Sequence, residues 1–179
     1  MKPKTKAQEE IDPITYIHRY ACWTAARAAQ HRIKGLNIEI ICNALDKINI
    51  VRFQEIKQPF QNYALVHNQL TKNLNKELKK SNLTVGFGVL AKIIAIYFKT
   101  AILTPALALK KPLKPYLKSI YPPIDSNVLK GIGMDSTKWK SMDQRAHKDV
   151  IKRMKKIDYK GIKQKGFWIF EKYFDPGAK

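Results

Sequence analysis

The feature that most constrains the fold of this chain is an apolar stretch, Val85 to Phe98, in which the only charged residue is Lys92. From Val89 onwards the apolar side chains recur at helical spacing and cover most of the helix surface. Such a helix belongs in the core of a domain, and 179 residues are enough to build one. Because Lys92 and the following Lys99 interrupt the run, a core helix is favoured over a membrane span.

Lys92 is expected in the first turn of this helix, because Gly86 and Gly88 permit a tight turn just before Val89. Low dielectric and the positive end of the helix dipole both disfavour an ammonium group there. A lysine amine becomes a nucleophile under such conditions. The alternative is a side chain that simply extends its ammonium to solvent along an apolar helix.

Asp125 is the second candidate, because it follows Pro122 and Pro123 and precedes a short helical pattern. The two prolines prevent a helix from continuing through them, so Asp125 is predicted to be the N-cap of a helix over 126–129. A purely structural role as a cap is the alternative reading of this carboxylate.

In this order, Gly86-Phe87-Gly88, Lys92 in an apolar helix, a connector and Pro123-x-Asp125 resemble the helix-hairpin-helix superfamily of DNA base-excision glycosylases. In its bifunctional members a lysine of the hairpin's second helix attacks the sugar carbon, and an aspartate that caps a later helix assists. Lys92 and Asp125 match those two positions. Their separation is similar to that in the archaeal 8-oxoguanine DNA glycosylases. The segment Leu90-Ala91-Lys92-Ile93 also resembles the Val-x-Lys-Met segment of those enzymes.

The resemblance covers about a quarter of the chain. The usual Leu-Pro-Gly-x-Gly-x-Lys hairpin is missing, and no iron–sulfur cysteines follow, which excludes the cluster-bearing branch. What remains implies an all-α fold, with two small helical lobes around a cleft and Lys92 facing Asp125 across it. It also implies a DNA glycosylase with associated β-lyase activity on a damaged or modified base, which needs no cofactor.

In the same superfamily an early helix supplies a polar residue near the flipped base. Gln30 would be its counterpart here, and Trp23 and Arg27 share the predicted helix with it. These three residues are therefore candidate base-binding or DNA-binding residues. The alternative is that Trp23 belongs to the core and Gln30 to the surface.

The charge of the chain points to a polyanionic partner. With 34 Lys and Arg residues against 14 Asp and Glu residues, the net charge is +20, which favours nucleic acid first and an anionic membrane surface second. The segment from Lys76 to Lys118 contains nine lysines, among them Lys99, and a single acidic residue, which is a glutamate. We expect Lys99 and the backbone N–H groups of Gly86 and Gly88 to hold phosphates of duplex DNA.

Two alternative functions stay open on this evidence. One is a non-catalytic, basic nucleic-acid-binding protein on the same fold, in which Lys92 holds a phosphate and Asp125 is only a cap. The other is a helical protein associated with RNA or with an anionic membrane. The preferred partner is duplex DNA. No association with a membrane is expected, and the protein is expected to bind DNA as a monomer.

The rest of the chain reads as helices, and no strand pattern competes with them. Residues 1–11 are predicted as a mobile lead-in and 12–179 as a single compact helical domain, with the hairpin and cleft at 84–129. Four further helices are predicted. The first covers 14–31 and follows Asp12-Pro13, the second covers 36–48, the third covers 59–80 and begins with Pro59, and the fourth is capped by Asp143 or Ser141. The aromatic segment 167–174 is predicted to close the core.

The cysteines and histidines indicate no metal site. Cys22 and Cys42 have no paired cysteines at metal-ligand spacing, and the four histidines are scattered along the sequence. Two unpaired cysteines and a polar start without a signal-peptide pattern predict a reduced, cytoplasmic setting, or a nucleoid-associated one in a bacterium.

Overall fold

The computed structural model of the chain describes residues 12–30, 33–53, 62–108, 119–136 and 139–157. These residues are all-α and include no β-strand, as the sequence predicts. The predicted lead-in, the start of the helix at Pro59 and the aromatic segment 167–174 lie outside the described residues.

The predicted helices lie close to their expected positions, and a short helix at 104–108, in the connector between Lys92 and Asp125, was not predicted. In chain order they are α1 (Pro13–Ala29), α2 (Ile38–Lys47), α3 (Tyr63–Lys80), α4 (Phe87–Phe98), α5 (Thr104–Ala108), α6 (Ser126–Gly131) and α7 (Gln144–Lys156). A 3-10 turn (Ile50–Phe53) follows α2, and a π-helical segment (Lys99–Leu103) joins α4 to α5.

Local capping chemistry explains why α1 and α7 begin where they do. The Asp12 carboxylate accepts the backbone N–H of Thr15 at 3.0 Å, and Pro13 occupies the first helical position. At the start of α7 the cap is Asp143, which accepts the N–H of Ala146 at 2.7 Å. Of the two caps that the sequence allowed for this helix, Asp143 and not Ser141 is therefore used.

Helix α4 is the centre of the core. Ten of its twelve residues are buried, and α1 and α3 pack against it. By length and composition the continuous helical run Phe87–Ala106 could also cross a membrane, but 67% of its most apolar window is buried inside the protein. Its apolar surface is thus already largely covered by the protein's own helices, as in a core helix.

Candidate functional site

Lys92 lies in the second turn of α4, not in the first. The helix begins at Phe87, two residues earlier than the apolar pattern suggested, with Gly86 as its N-cap. Since the field of a helix dipole falls off within the first turn, the dipole acts on Lys92 less than predicted. The apolar surroundings remain, because Ala91 and Ile93 on either side are buried and the Lys92 side chain is only 11% exposed.

Lys92 and Asp125 are in direct contact. The Lys92 ammonium donates to Oδ2 of Asp125 at 3.0 Å, and the two side chains are 11% and 20% exposed. Asp125 is also the N-cap of α6, as predicted: its Oδ1 accepts the backbone N–H groups of Asn127 at 3.0 Å and Val128 at 3.1 Å. The amine and the carboxylate, 33 residues apart, thus form one partly buried pair.

Trp139 completes the surroundings of the lysine. The Lys92 nitrogen lies 5.0 Å from the centre of the Trp139 ring, within the range of a cation–π interaction. Trp139 is buried, with 5% of its surface exposed. Sequence reasoning missed this residue, and the available signal was a single tryptophan in an otherwise polar stretch before α7.

A cavity of about 190 Å³ opens beside the pair. The described residues that line it come from α1, α4, the π-helical segment, and α6 with the loop before it. They are Thr24, Ala28, Lys92, Ile96, Lys99, Thr100, Pro122, Pro123, Asp125 and Val128. Most of this wall is apolar, and its charged groups are Lys92, Lys99 and Asp125. Lys99, predicted as a DNA-binding residue, is therefore part of the cavity wall.

Helix α1 faces this cavity with different residues from those predicted. Its wall residues are Thr24 and Ala28. Trp23 is 48% exposed, so it is not a core residue, and Arg27 places its guanidinium 5.8 Å from the Trp23 ring centre. Gln30 is half-buried at the C-terminal end of the helix.

The reason for this difference is the rotation of α1 about its axis. The cavity-facing stripe is displaced by one position along the sequence, from Trp23 and Arg27 to Thr24 and Ala28. On the exposed side Tyr20 stacks on Trp23, with ring centres 6.2 Å apart. The structure thus brings Lys92, Asp125 and Lys99 together and leaves Trp23, Arg27 and Gln30 out of the described cavity wall.

The two hairpin glycines lie where two stretches of backbone pack closely, and the N–H of Gly88 is already bonded within the protein. The backbone of Trp139 and Lys140 passes so close that a Cβ atom on Gly88 would lie 2.0 Å from the Trp139 carbonyl oxygen, and one on Gly86 2.1 Å from that of Lys140. The Gly88 N–H donates to the Met142 carbonyl at 3.0 Å, so it cannot also hold a phosphate. The glycines instead admit the turn that carries Trp139 to Lys92.

Comparisons of the chain with protein families, with curated proteins and with solved structures found no match. What the site can do is therefore argued from its own chemistry: a partly buried amine, a carboxylate fixed by a helix start, and an apolar cavity beside both.

Proposed function

We propose that this protein is a DNA base-excision glycosylase with associated β-lyase activity, built around Lys92 and Asp125 in a helix-hairpin-helix-like fold of two small lobes around a cleft. The observation that carries the proposal is the 3.0 Å contact between the Lys92 amine and the Asp125 carboxylate at the edge of an apolar cavity. A nucleophile within hydrogen-bonding distance of a base, itself oriented by further hydrogen bonds, is the usual arrangement of an activated nucleophile.

The hydrogen bonds of Lys92 and Asp125 suggest a separate chemical role for each residue. Asp125 is held by its cap to α6, so its Oδ2 has a fixed position from which to accept a proton from the Lys92 ammonium. The neutral Lys92 amine then attacks C1′ of the damaged nucleotide, and a C–N bond forms as the bond from C1′ to the base breaks. The base leaves with the bonding electrons and takes up the proton that Asp125 accepted from Lys92.

The lyase step uses the same lysine. As the C1′–O4′ bond breaks, a proton passes from the Lys92 nitrogen to O4′, which opens the sugar ring and converts the C1′–lysine adduct to an imine. The Asp125 carboxylate then takes a C2′ proton, and the C3′–O3′ bond breaks by β-elimination with the phosphate as the leaving group. Hydrolysis of the imine releases Lys92. Once Asp125 has passed its proton to the departing base, its carboxylate is negatively charged again and stabilises the positive charge on the sugar.

The cavity and the exposed face of α1 support the choice of DNA as substrate. A volume of about 190 Å³ is below the roughly 300–1,000 Å³ of pockets for drug-sized ligands, and suits one flipped base rather than a whole nucleotide. Tyr20, Trp23 and Arg27 form an exposed aromatic and cationic face on α1, of the kind that stacks on bases and binds phosphates. The net charge of +20 supports a polyanionic partner.

A non-catalytic nucleic-acid-binding protein is the second candidate function. It is favoured by the two partners of the Lys92 ammonium, Asp125 and the Trp139 ring, which together are also what a structural ion pair requires. In that case the pair would fasten α6 to α4, and the basic surface alone would bind nucleic acid.

Borohydride trapping separates the two candidates. Borohydride reduces an imine to a stable secondary amine, so a catalytic Lys92 would become covalently linked to a lesion-bearing duplex. We expect trapping on at least one duplex of a panel of damaged and modified bases, together with strand cleavage. Salt-dependent binding of the whole panel without any trapped product would instead support the binding protein.

A further inference from the structure

The large hydrophobic side chains that stay exposed are concentrated on α1. Among the residues that the structure describes there are five such side chains, and four of them belong to this helix. The five are Ile14, Tyr16, Tyr20 and Trp23 on α1 and Leu65 on α3. A group of exposed aromatic side chains on one helix is typical of a binding surface.

Three of these aromatic residues and an arginine form one stripe along α1. Tyr16, Tyr20, Trp23 and Arg27 follow one another at positions i, i+4, i+7 and i+11, so they share one face of the helix over three turns. The opposite face of α1 is buried, mostly through alanines. The stripe rises about 16 Å along the axis, which is the length of four or five nucleotides at about 3.4 Å each.

The ring geometry within the stripe suits stacked bases. The rings of Tyr20 and Trp23 have their centres 6.2 Å apart and their planes only 20° from parallel. Bases that stack on these two rings therefore also lie nearly parallel to each other, as consecutive bases of a single strand do. The Arg27 guanidinium lies 5.8 Å from the Trp23 ring centre, where it can stack with a base or hold a phosphate.

The charge of α1 favours nucleic acid over a membrane surface. The helix contains no Asp or Glu, and both Arg27 and Arg19, which is one turn before Trp23, are exposed. Aromatic rings with cations and without carboxylates match the bases and phosphates of a single strand. A helix at a bilayer surface needs an apolar face for the lipid, but the apolar face of α1 is buried in the protein.

We propose that the aromatic stripe of α1 binds unpaired nucleotides of single-stranded DNA, with bases stacked on its three rings and a phosphate held by Arg27. A duplex offers only base edges and phosphates to a helix, because its bases cover each other's faces. Stacking accepts any base, so binding is tolerant of sequence. Thr24, the neighbour of Trp23, lines the cavity beside Lys92. The choice of DNA over RNA rests on the function proposed above.

Fluorescence titration of the full-length protein with an oligothymidylate of about ten nucleotides tests the stripe. We expect quenching of tryptophan emission, and Trp23→Ala and Tyr20→Ala should each lower the affinity roughly fivefold to a hundredfold. Affinity for an undamaged duplex should stay the same. Trp23→Phe keeps a ring for stacking, so it should keep most of the affinity and lose most of the quenching. Leu65→Ala, at a 68% exposed residue of α3, is the control and should change nothing.

The salt dependence separates stacking from phosphate binding. Stacking releases no counterions, so Trp23→Ala should leave the log–log salt slope unchanged, whereas Arg27→Gln should reduce it by about 0.7. Tyr20, Trp23 and Arg27 are exposed, and alanine and glutamine are good helix formers. All these variants should therefore keep the fold, which far-ultraviolet circular dichroism verifies.

Wild-type affinity for oligothymidylate in both Trp23→Ala and Tyr20→Ala would overturn the proposal. An equal loss on the duplex would also overturn it, as would tighter stripe-dependent binding of oligouridylate or of phosphatidylglycerol vesicles. The proposed catalysis fails in a different way. A protein that binds oligothymidylate through the stripe but never traps on a lesion-bearing duplex has this site and is not a glycosylase, and trapping that survives without the stripe's contribution to affinity shows the reverse.

Discussion

Lys92 bonds to the one oxygen of Asp125 that the cap of α6 does not use. Oδ1 accepts two backbone N–H groups of α6, and Oδ2 accepts the ammonium of Lys92 at 3.0 Å. Because the cap fixes the carboxylate, the position of Oδ2 relative to Lys92 depends on the backbone of α6 rather than on a mobile side chain. This separation of roles makes it possible to remove the charge without removing the cap.

Asp125→Asn is predicted to keep the fold and lose base excision. Asn is also a good N-cap, so α6 should still begin at Ser126. The negative charge that stabilises the sugar cation is lost, and single-turnover excision should fall by a factor of roughly 10² to 10³. Excision kinetics on the duplex that traps best, together with a thermal melt, measure both effects.

Asp125→Ala is the matched variant for the cap. It removes the cap as well as the charge, and should cost about 1 kcal/mol more stability than Asp125→Asn. If Asp125→Asn excises bases at the wild-type rate, the carboxylate has no part in chemistry and is only a cap.

The sequence predicted Lys92 and Asp125 because each lies in a local signal. An apolar helix with one lysine, and a carboxylate directly after two prolines, are recognisable within a few residues. Trp139 lies 5.0 Å from the lysine nitrogen in space but carries no such signal, since its position depends on how a turn packs across the start of α4. The rotation of α1, which selects Thr24 over Trp23 for the cavity, also depends on tertiary packing.

The sequence analysis missed the cluster of His18, Cys22 and Asp46, whose ligand atoms lie within 4.8 Å of one another, for a different reason. Zinc motifs are recognised by paired cysteines, and Cys22 and Cys42 are 20 positions apart. The usable signal was mixed: His18 and Cys22 are spaced i, i+4 on one helix, and Cys42 and Asp46 are spaced i, i+4 on the next. Each pair shares a helix face, but only the packing of α1 against α2 brings the two pairs together.

Gly88→Ala is predicted to destabilise the protein strongly. Its Cβ atom would lie 2.0 Å from the Trp139 carbonyl oxygen, and backbone cannot move aside as cheaply as a side chain. We expect a loss of about 3 kcal/mol or more, or roughly 10 °C in melting temperature. Gly131→Ala, at an exposed helical glycine of α6, is the control and should be neutral or slightly stabilising. Equal melting temperatures for the two variants would contradict the packing role of Gly88.

Two buried histidines are predicted to make the fold sensitive to mild acid. Burial lowers the pKa of His147 to about 4, and burial together with the nearby His147 lowers the pKa of His67 to about 3. The unfolded chain, in which histidine has a pKa near 6.5, therefore binds protons that the folded protein excludes. The free energy of unfolding is therefore expected to have its full value above pH 6.5 and to decrease as the pH falls toward 4.

The slope of that loss is the measurement. Two excluded protons correspond to about 2.7 kcal/mol per pH unit near pH 5, which chemical unfolding at several pH values can resolve. The rings of His67 and His147 stack with their centres 5.4 Å apart, and replacing one of them, as in His147→Gln, should halve the slope. The lowered pKa values of Asp12 and Glu77 place their protonation below this range. A stability that does not change between pH 6.5 and 5 would show that the two histidines accept protons in the folded state.

The last prediction compares Lys92 with Lys99, because both line the same cavity and carry the same charge. Lys92→Gln keeps a side chain of similar length but cannot form an imine, so borohydride trapping and strand cleavage should vanish while duplex binding largely survives. Lys99→Gln removes an equal charge and should keep trapping. Six phosphate contacts in all would give a log–log salt slope of about −5, and loss of one contact should reduce it by about 1. If both variants trap equally and differ from the wild-type protein only in DNA affinity, Lys92 is a phosphate-binding residue and the protein is a nucleic-acid-binding module.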